Sequence, residues 1–160
     1  METKFNFNSA ICTSLEQSRK LLALGLKKET ADMSYRYQRT SGDYELSVFA
    51  YEDILRLKDR MNNRKVLGMG WEEMYGKDIP AWSMHRLIEM MPKCVRAHSD
   101  YDDSQRLHPY VPKFDYQGVT IENIDETLAD FYQHTDLFDN IIDCIEWLIK
   151  EGYFNKEYLN

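Results

Sequence analysis

The chain is poor in residues that staple or ligate. Only three of its 160 residues are cysteines, Cys12, Cys94 and Cys144. They are an odd number at wide spacing with no CxxC, which excludes a disulfide framework and a cysteine-ligated metal site. Their apolar neighbours Ile11, Val95 and Ile145 predict three reduced thiols in or near a core, and hence a reducing compartment. Glycine is equally scarce, at seven residues. Neither a phosphate-cradling GxxxxGK loop nor a GxGxxG turn occurs, and Gly68-Met69-Gly70-Trp71 makes a short turn at most. No Gly-x-Ser-x-Gly elbow marks a serine hydrolase, and no cysteine has the basic or histidine setting of a nucleophile.

Long apolar runs are missing too. The most apolar stretch, Ile141 to Ile149, is interrupted by Asp143 and Glu146 and falls short of the ~20 residues a membrane span requires. The start, Met1 to Asn8, has no basic region followed by an apolar run, so no signal peptide is expected and the predicted location is cytoplasmic. Positive charge is in deficit: 20 Lys and Arg against 27 Asp and Glu give −7, which argues against general binding to nucleic acid. What remains is globular composition, 43% hydrophobic and 29% charged, in a length suited to a single domain over 1–160.

The patterning predicts an α+β fold: an antiparallel sheet with a hairpin at about 33–50, covered on one face by N-terminal and C-terminal amphipathic helices. Thr13 to Leu24 reads as the first helix. Thr13 and Glu16 sit at capping-box spacing, Leu15, Leu22 and Leu26 run down one face with Arg19's stem, Leu21 widens it, and Gly25 is the stop. Met33, Tyr35 and Tyr37 alternate with polar residues, as do Tyr44, Leu46, Val48 and Ala50 beyond the turn Thr40-Ser41-Gly42-Asp43; this is a β-hairpin pattern. A short helix fits 51–61. Another begins at the N-cap Ser83, buries Leu87, Ile88 and Met91, and ends at Pro92. Strands fit 93–98, 108–116 and 118–122, with Pro109 and Pro112 placing the second of these at a sheet edge. Residues 125–134 read as a helix. The last helix, 136–152, is the clearest element, with Phe138, Ile141, Ile142, Ile145, Leu148 and Ile149 on one stripe and Asp139, Asp143, Glu146 and Lys150 opposite.

Four strings, Thr13-Ser-Leu-Glu-Gln-Ser18, Glu29-Thr-Ala-Asp-Met33, Ile79-Pro-Ala-Trp-Ser83 leading to Met91-Pro92, and Asn140-Ile-Ile-Asp-Cys-Ile-Glu-Trp-Leu-Ile149, together resemble a family of small intracellular proteins common in genomes of gut bacteria and their phages. The resemblance implies an α+β domain of phage or mobile-element origin. The family has no agreed activity to carry over.

Candidate site residues are few. His85 and Glu89 lie four apart on one helix face, but the His-Glu-x-x-His of a zincin is absent, and a surface hydrogen bond accounts for the pair. His98 and His108 flank the acidic loop Asp100-Tyr101-Asp102-Asp103, which lacks the glycine and distal glutamate of a calcium loop. Neither a metal nor another cofactor is expected. The polar and aromatic residues Asp32, Trp82, Asp143 and Glu146 within the four strings are binding candidates, against a cheaper explanation as caps and core. Charge is also unevenly spread: residues 1–96 carry 16 basic and 13 acidic side chains, residues 97–160 carry 4 and 14. The basic excess gathers at Arg56, Lys58, Arg60, Arg64 and Lys65, and Arg60 and Arg64 are further candidates. Docking of this segment on the C-terminal acidic ridge is the default expectation.

Without a catalytic motif, and with 13% aromatic residues including 11 Tyr, a type enriched at interfaces, the expected function is a non-enzymatic protein-interaction or accessory protein. Its partner would be another protein or a second copy of itself. The alternative is a small metal-dependent hydrolase or nucleotide-handling enzyme using the C-terminal carboxylates Asp139, Asp143 or Glu146 with a histidine.

Overall fold

The structure, a computed structural model, describes residues 10–61, 68–99 and 106–160. It is an α+β fold, with five helices and two antiparallel sheets among those residues. No helix among them is long and apolar enough to cross a membrane.

Helix α1 spans Leu15–Ala23. Its N-cap is Ser14: the hydroxyl accepts the Gln17 N–H at 3.2 Å while the Gln17 side chain accepts the Ser14 N–H at 2.9 Å. This capping box lies one residue beyond the expected Thr13–Glu16 pair. The reason is tertiary. Thr13 is fully buried, and its hydroxyl is engaged with Ser18 Oγ at 2.8 Å and accepts the Trp82 N–H at 3.1 Å. The buried face shifts accordingly, with Leu21 in the core, Leu15 and Leu22 half-buried and Arg19 exposed. Gly25 ends the helix at φ +94°. Its N–H returns to the Leu22 carbonyl and that of Leu26 to the Leu21 carbonyl, a closure that favours a residue without Cβ.

Strands β1 (Met33–Tyr37) and β2 (Tyr44–Ser47) form the expected hairpin, with Tyr37 opposite Tyr44 and Ser34 opposite Ser47. The second strand stops short of residue 50 because Ser47 Oγ accepts the Phe49 N–H at 3.3 Å and turns the chain. Val48 and Phe49 are thereby left 76% and 64% exposed. Helices α2 (Tyr51–Met61) and α3 (Trp71–Tyr75) follow. Strand β3 (Ile79–Ala81) then pairs with the other side of β1, giving the order β2-β1-β3. Helix α4 (Met84–Met90) starts at the expected N-cap, where Ser83 Oγ accepts the Arg86 N–H at 3.1 Å. It buries Leu87, Met90 and Met91, while Ile88 is half-buried.

The second sheet is β4 (Val95–His98), β5 (Leu107–Phe114), β6 (Val119–Glu122) and β7 (Thr127–Phe131), in that spatial order. Two expectations are corrected here. Residues 125–134 are not a helix: Asn123 Oδ1 accepts the N–H groups of Asp125 and Glu126, and the chain turns back to pair with β6. Strand β5 is not at an edge, yet its prolines are accommodated. Leu107–Tyr110 pairs with β4 and Val111–Phe114 with β6, so each half has one side without a ladder, where a missing N–H is tolerated.

Helix α5 spans Leu137–Lys150 from the N-cap Asp136. Phe138, Ile141, Ile142, Ile145 and Leu148 are buried and Ile149 is half-buried. The terminal helices do cover the sheets, but not the same one: α1 packs on β3, whereas α5 packs chiefly on β6, β7 and α1. One apolar cluster joins Leu21, Trp82, Leu87, Tyr110 and Ile121 to the α5 stripe. Of the three thiols expected in or near a core, Cys12 and Cys144 are buried, while Cys94 is exposed. Because Ile145 is fully buried in this cluster, Ile145→Ala should cost about 2–5 kcal/mol in denaturant unfolding. A loss under about half a kcal/mol would show that the stripe does not carry the core.

Candidate functional site

Two of the six sequence candidates are structural. Trp82 is fully buried and its indole Nε1 donates to Thr30 Oγ1 at 2.9 Å. Asp32 accepts the Ser83 N–H at 2.8 Å through Oδ1 and the Ser83 hydroxyl through Oδ2. Arg86 Nε, one turn on, donates to the Thr30 carbonyl at 2.8 Å. Asp32 and Trp82 are thus brought together, but as a clamp on the start of α4.

Asp143 and Glu146 also come together, and both are met by a cation of α1. Lys20 Nζ lies 2.7 Å from Asp143 Oδ1 and 3.3 Å from Glu146 Oε2, and His134 Nε2 is 2.8 Å from Asp143 Oδ2. Beside them Gln17 Nε2 donates to Asp139 Oδ1 and Asp136 Oδ2, at 2.8 and 2.9 Å. Partial burial opposes ionisation of Asp143, but the bonds from Lys20 and His134 outweigh it and hold the carboxyl below its ordinary range. The ridge is therefore engaged from α1, and among the described residues the basic segment makes no ion pair with it. Among the described residues of that segment, Arg56 pairs with Glu52 and Asp53 on its own helix, at 2.7 and 3.5 Å. Lys58 Nζ sits 4.7 Å from the centroid of the Trp71 ring. Arg64, Lys65 and the loop 100–103 lie outside the described residues.

His85 and Glu89 form an exposed surface pair at 3.1 Å. No group of three or more His, Cys, Asp and Glu among the described residues is placed to hold a metal ion. Burial pushes the Cys144 thiol up to about 12, which leaves it inert as a nucleophile.

Arg60 leads elsewhere. It lines a half-open cleft of ≈ 440 Å³ between α2 and the hairpin, together with Arg36, Phe49, Asp53, Ile54, Arg56, Leu57 and Tyr75. Local sequence builds each wall. Arg36 occupies a polar position of β1, on the face opposite Tyr35. Arg56 and Arg60 are four apart on α2 and share a face. Trp71 of α3 donates its Nε1–H to the Ile54 carbonyl at 2.9 Å and anchors α2. The Arg36 guanidinium carbon lies 5.1 Å from the Tyr75 ring centroid, and its Nε is 3.6 Å from Asp78 Oδ2. Asp78 is a buried carboxylate, its side chain 1% exposed. Oδ1 accepts the Tyr37 N–H at 2.9 Å, and Oδ2 has no hydrogen-bond partner. Burial raises its pKa, a shift that the Tyr37 N–H and Arg36 reduce without cancelling.

No family model, curated protein or solved structure matches the chain. The sequence reading found Arg60 and missed Arg36, Phe49 and Asp78. Arg36 has only its polar position in the alternation to mark it, and Asp78 carries no signal at all before α3 and β1 close over it.

The Asp143 carboxyl, held below its ordinary range, stabilises the fold above that range, and this contribution is lost as pH falls through the folded-state value. Asp143→Asn should therefore cost no more than about 1 kcal/mol near neutral pH, since the pair is partly exposed and screened, and nothing at about pH 2. Urea unfolding at both pH values checks this; an equal loss at each would assign the effect to packing.

Proposed function

We propose that the protein is a non-enzymatic interaction protein, an accessory factor that binds another protein through the cleft between α2 and the hairpin. One observation carries the reading. Arg60 makes no ion pair or hydrogen bond among the described residues, yet it stands in a concavity beside Phe49, a large aromatic side chain 64% exposed. A free guanidinium next to a bare aromatic is the composition of an interface anchor, since Arg and aromatic residues dominate binding hot spots. The hydrolase alternative loses ground because the carboxylates it needs are already engaged: Asp143 and Glu146 by Lys20, Asp139 by Gln17. A cytoplasmic setting, expected from three cysteines without paired spacing, is part of the same proposal. A phage or mobile-element origin, implied by the family resemblance, belongs to the same proposal.

Site-specific photo-crosslinking tests it. With a photoreactive phenylalanine replacing Phe49, extract of the native host should yield one discrete adduct, lost when Arg60→Glu is added. The same probe at Ile124, 97% exposed in the turn between β6 and β7, should yield none. The same adduct from both positions, or none from Phe49, would overturn the reading.

A further inference from the structure

We propose that the cleft receives a short acidic segment of the partner protein carrying an apolar side chain, and that Asp78 is the positioning residue that aims Arg36 at it. The proposal rests on the interaction reading above and names the partner's chemistry.

Charge comes first. Three guanidiniums, Arg36, Arg56 and Arg60, line the cleft; Arg56 is paired with Glu52 and Asp53 and Arg36 with Asp78, which leaves Arg60 as the cation without a partner among the described residues. An anion entering the cleft supplies the counter-charge that Arg60 lacks. Arginine forks match carboxylates in paired hydrogen bonds. Apolar surface comes second. Phe49, Leu57 and Tyr75 share the lining, and an inorganic anion would leave them unused. A nucleic acid is disfavoured because its extended backbone would have to cross a molecule of net −7. A carboxylate-bearing segment with one apolar residue uses both parts of the site.

Asp78 is the third observation. A carboxylate buried with one oxygen lacking a hydrogen bond, and with a raised pKa, favours folding more when protonated than when ionised. That contribution is present below the ordinary carboxylate range and is lost as pH rises through the raised value. The buried carboxylate is therefore a cost to the fold. Its return lies in geometry. With Nε toward Asp78 and the guanidinium over Tyr75, Arg36 is held in one orientation at the cleft wall, so less freedom is lost when the anion arrives.

Fluorescence anisotropy with a labelled peptide of alternating Glu and Leu residues tests the proposal, beside its Gln-for-Glu counterpart and a single-stranded oligonucleotide of equal charge. The acidic peptide should bind at least about tenfold more tightly than the amide version and weaken with salt. Arg60→Glu should abolish the difference between them. Asp78→Asn should be at least as resistant to urea as wild type, yet bind about tenfold more weakly. Equal binding of the two peptides, or of neither while the Phe49 adduct persists, defeats the acidic-segment inference and spares the interaction reading. Tighter binding of the oligonucleotide moves the occupant to nucleic acid. Salt-sensitive self-association lost in Arg60→Glu makes it a second copy of the chain, and either result overturns the proposal. Full binding by Asp78→Asn refutes the positioning role. No adduct at Phe49 and no peptide bound removes both readings together.

Discussion

Trp82 is the constraint on which the rest of the fold hangs. It stands between β3 and α4, wholly buried, and three of its polar groups are bonded to distant segments. Its N–H and carbonyl are paired with Thr13 Oγ1 and the Thr13 N–H, and its indole donates to Thr30 Oγ1. A buried polar group left unpaired costs about 1–3 kcal/mol, so slipping β3 by one residue would leave several such groups at once. The chain before α1 and the chain before β1 are therefore tied to a single point. The Asp32–Ser83 pair beside it and Arg86 on the Thr30 carbonyl secure α4 to the same point.

The cleft is a consequence of that register. Fixing β3 against β1 places Asp78, the residue just before β3, behind Arg36 on the neighbouring strand. Helix α2 then lies along the outer side, docked by Trp71 and by the Tyr51 N–H on the Ala31 carbonyl. Charge is sorted at the same time. The acidic ridge of α5 takes Lys20 from α1, and Lys58 is spent over Trp71. Arg60 has nothing to pair with inside the described chain. The asymmetry visible in the linear sequence thus ends as two separate surfaces, one engaged by α1 and one open.

Legibility in the sequence followed the length of the repeating pattern. The stripe from Phe138 to Ile149 covers more than three helical turns, and the hairpin alternates on two strands around a Gly42 turn, so each could satisfy only one period. Residues 125–134 satisfied two. Leu128 and Phe131 lie at helical spacing, and Asp125 with Glu126 suits a helix start, yet Thr127 to Phe131 also serves as a strand. The choice was made by β6, which needed a partner for its second side, and by the Asn123 turn. The helix cap shows the same rivalry on a smaller scale: Thr13 and Ser14 are equivalent N-caps locally, and burial under Trp82 removed Thr13 from the contest.

Local pattern alone was therefore enough for the α+β class, the hairpin, the last helix, the N-cap at Ser83 and the stop at Gly25, because each depends on residues within a few positions of one another. Tertiary structure decided which sheet each terminal helix covers, whether a short ambiguous stretch becomes strand or helix, and where the candidate site lies. Arg36, Phe49, Arg60 and Asp78 are separated along the chain and carry no shared spacing. Their meeting depends on long-range pairing of β1 with β3 and on the packing of α2. An aspartate's burial, a guanidinium's freedom and the depth of a cleft are properties of surroundings, and surroundings exist only once the chain has closed.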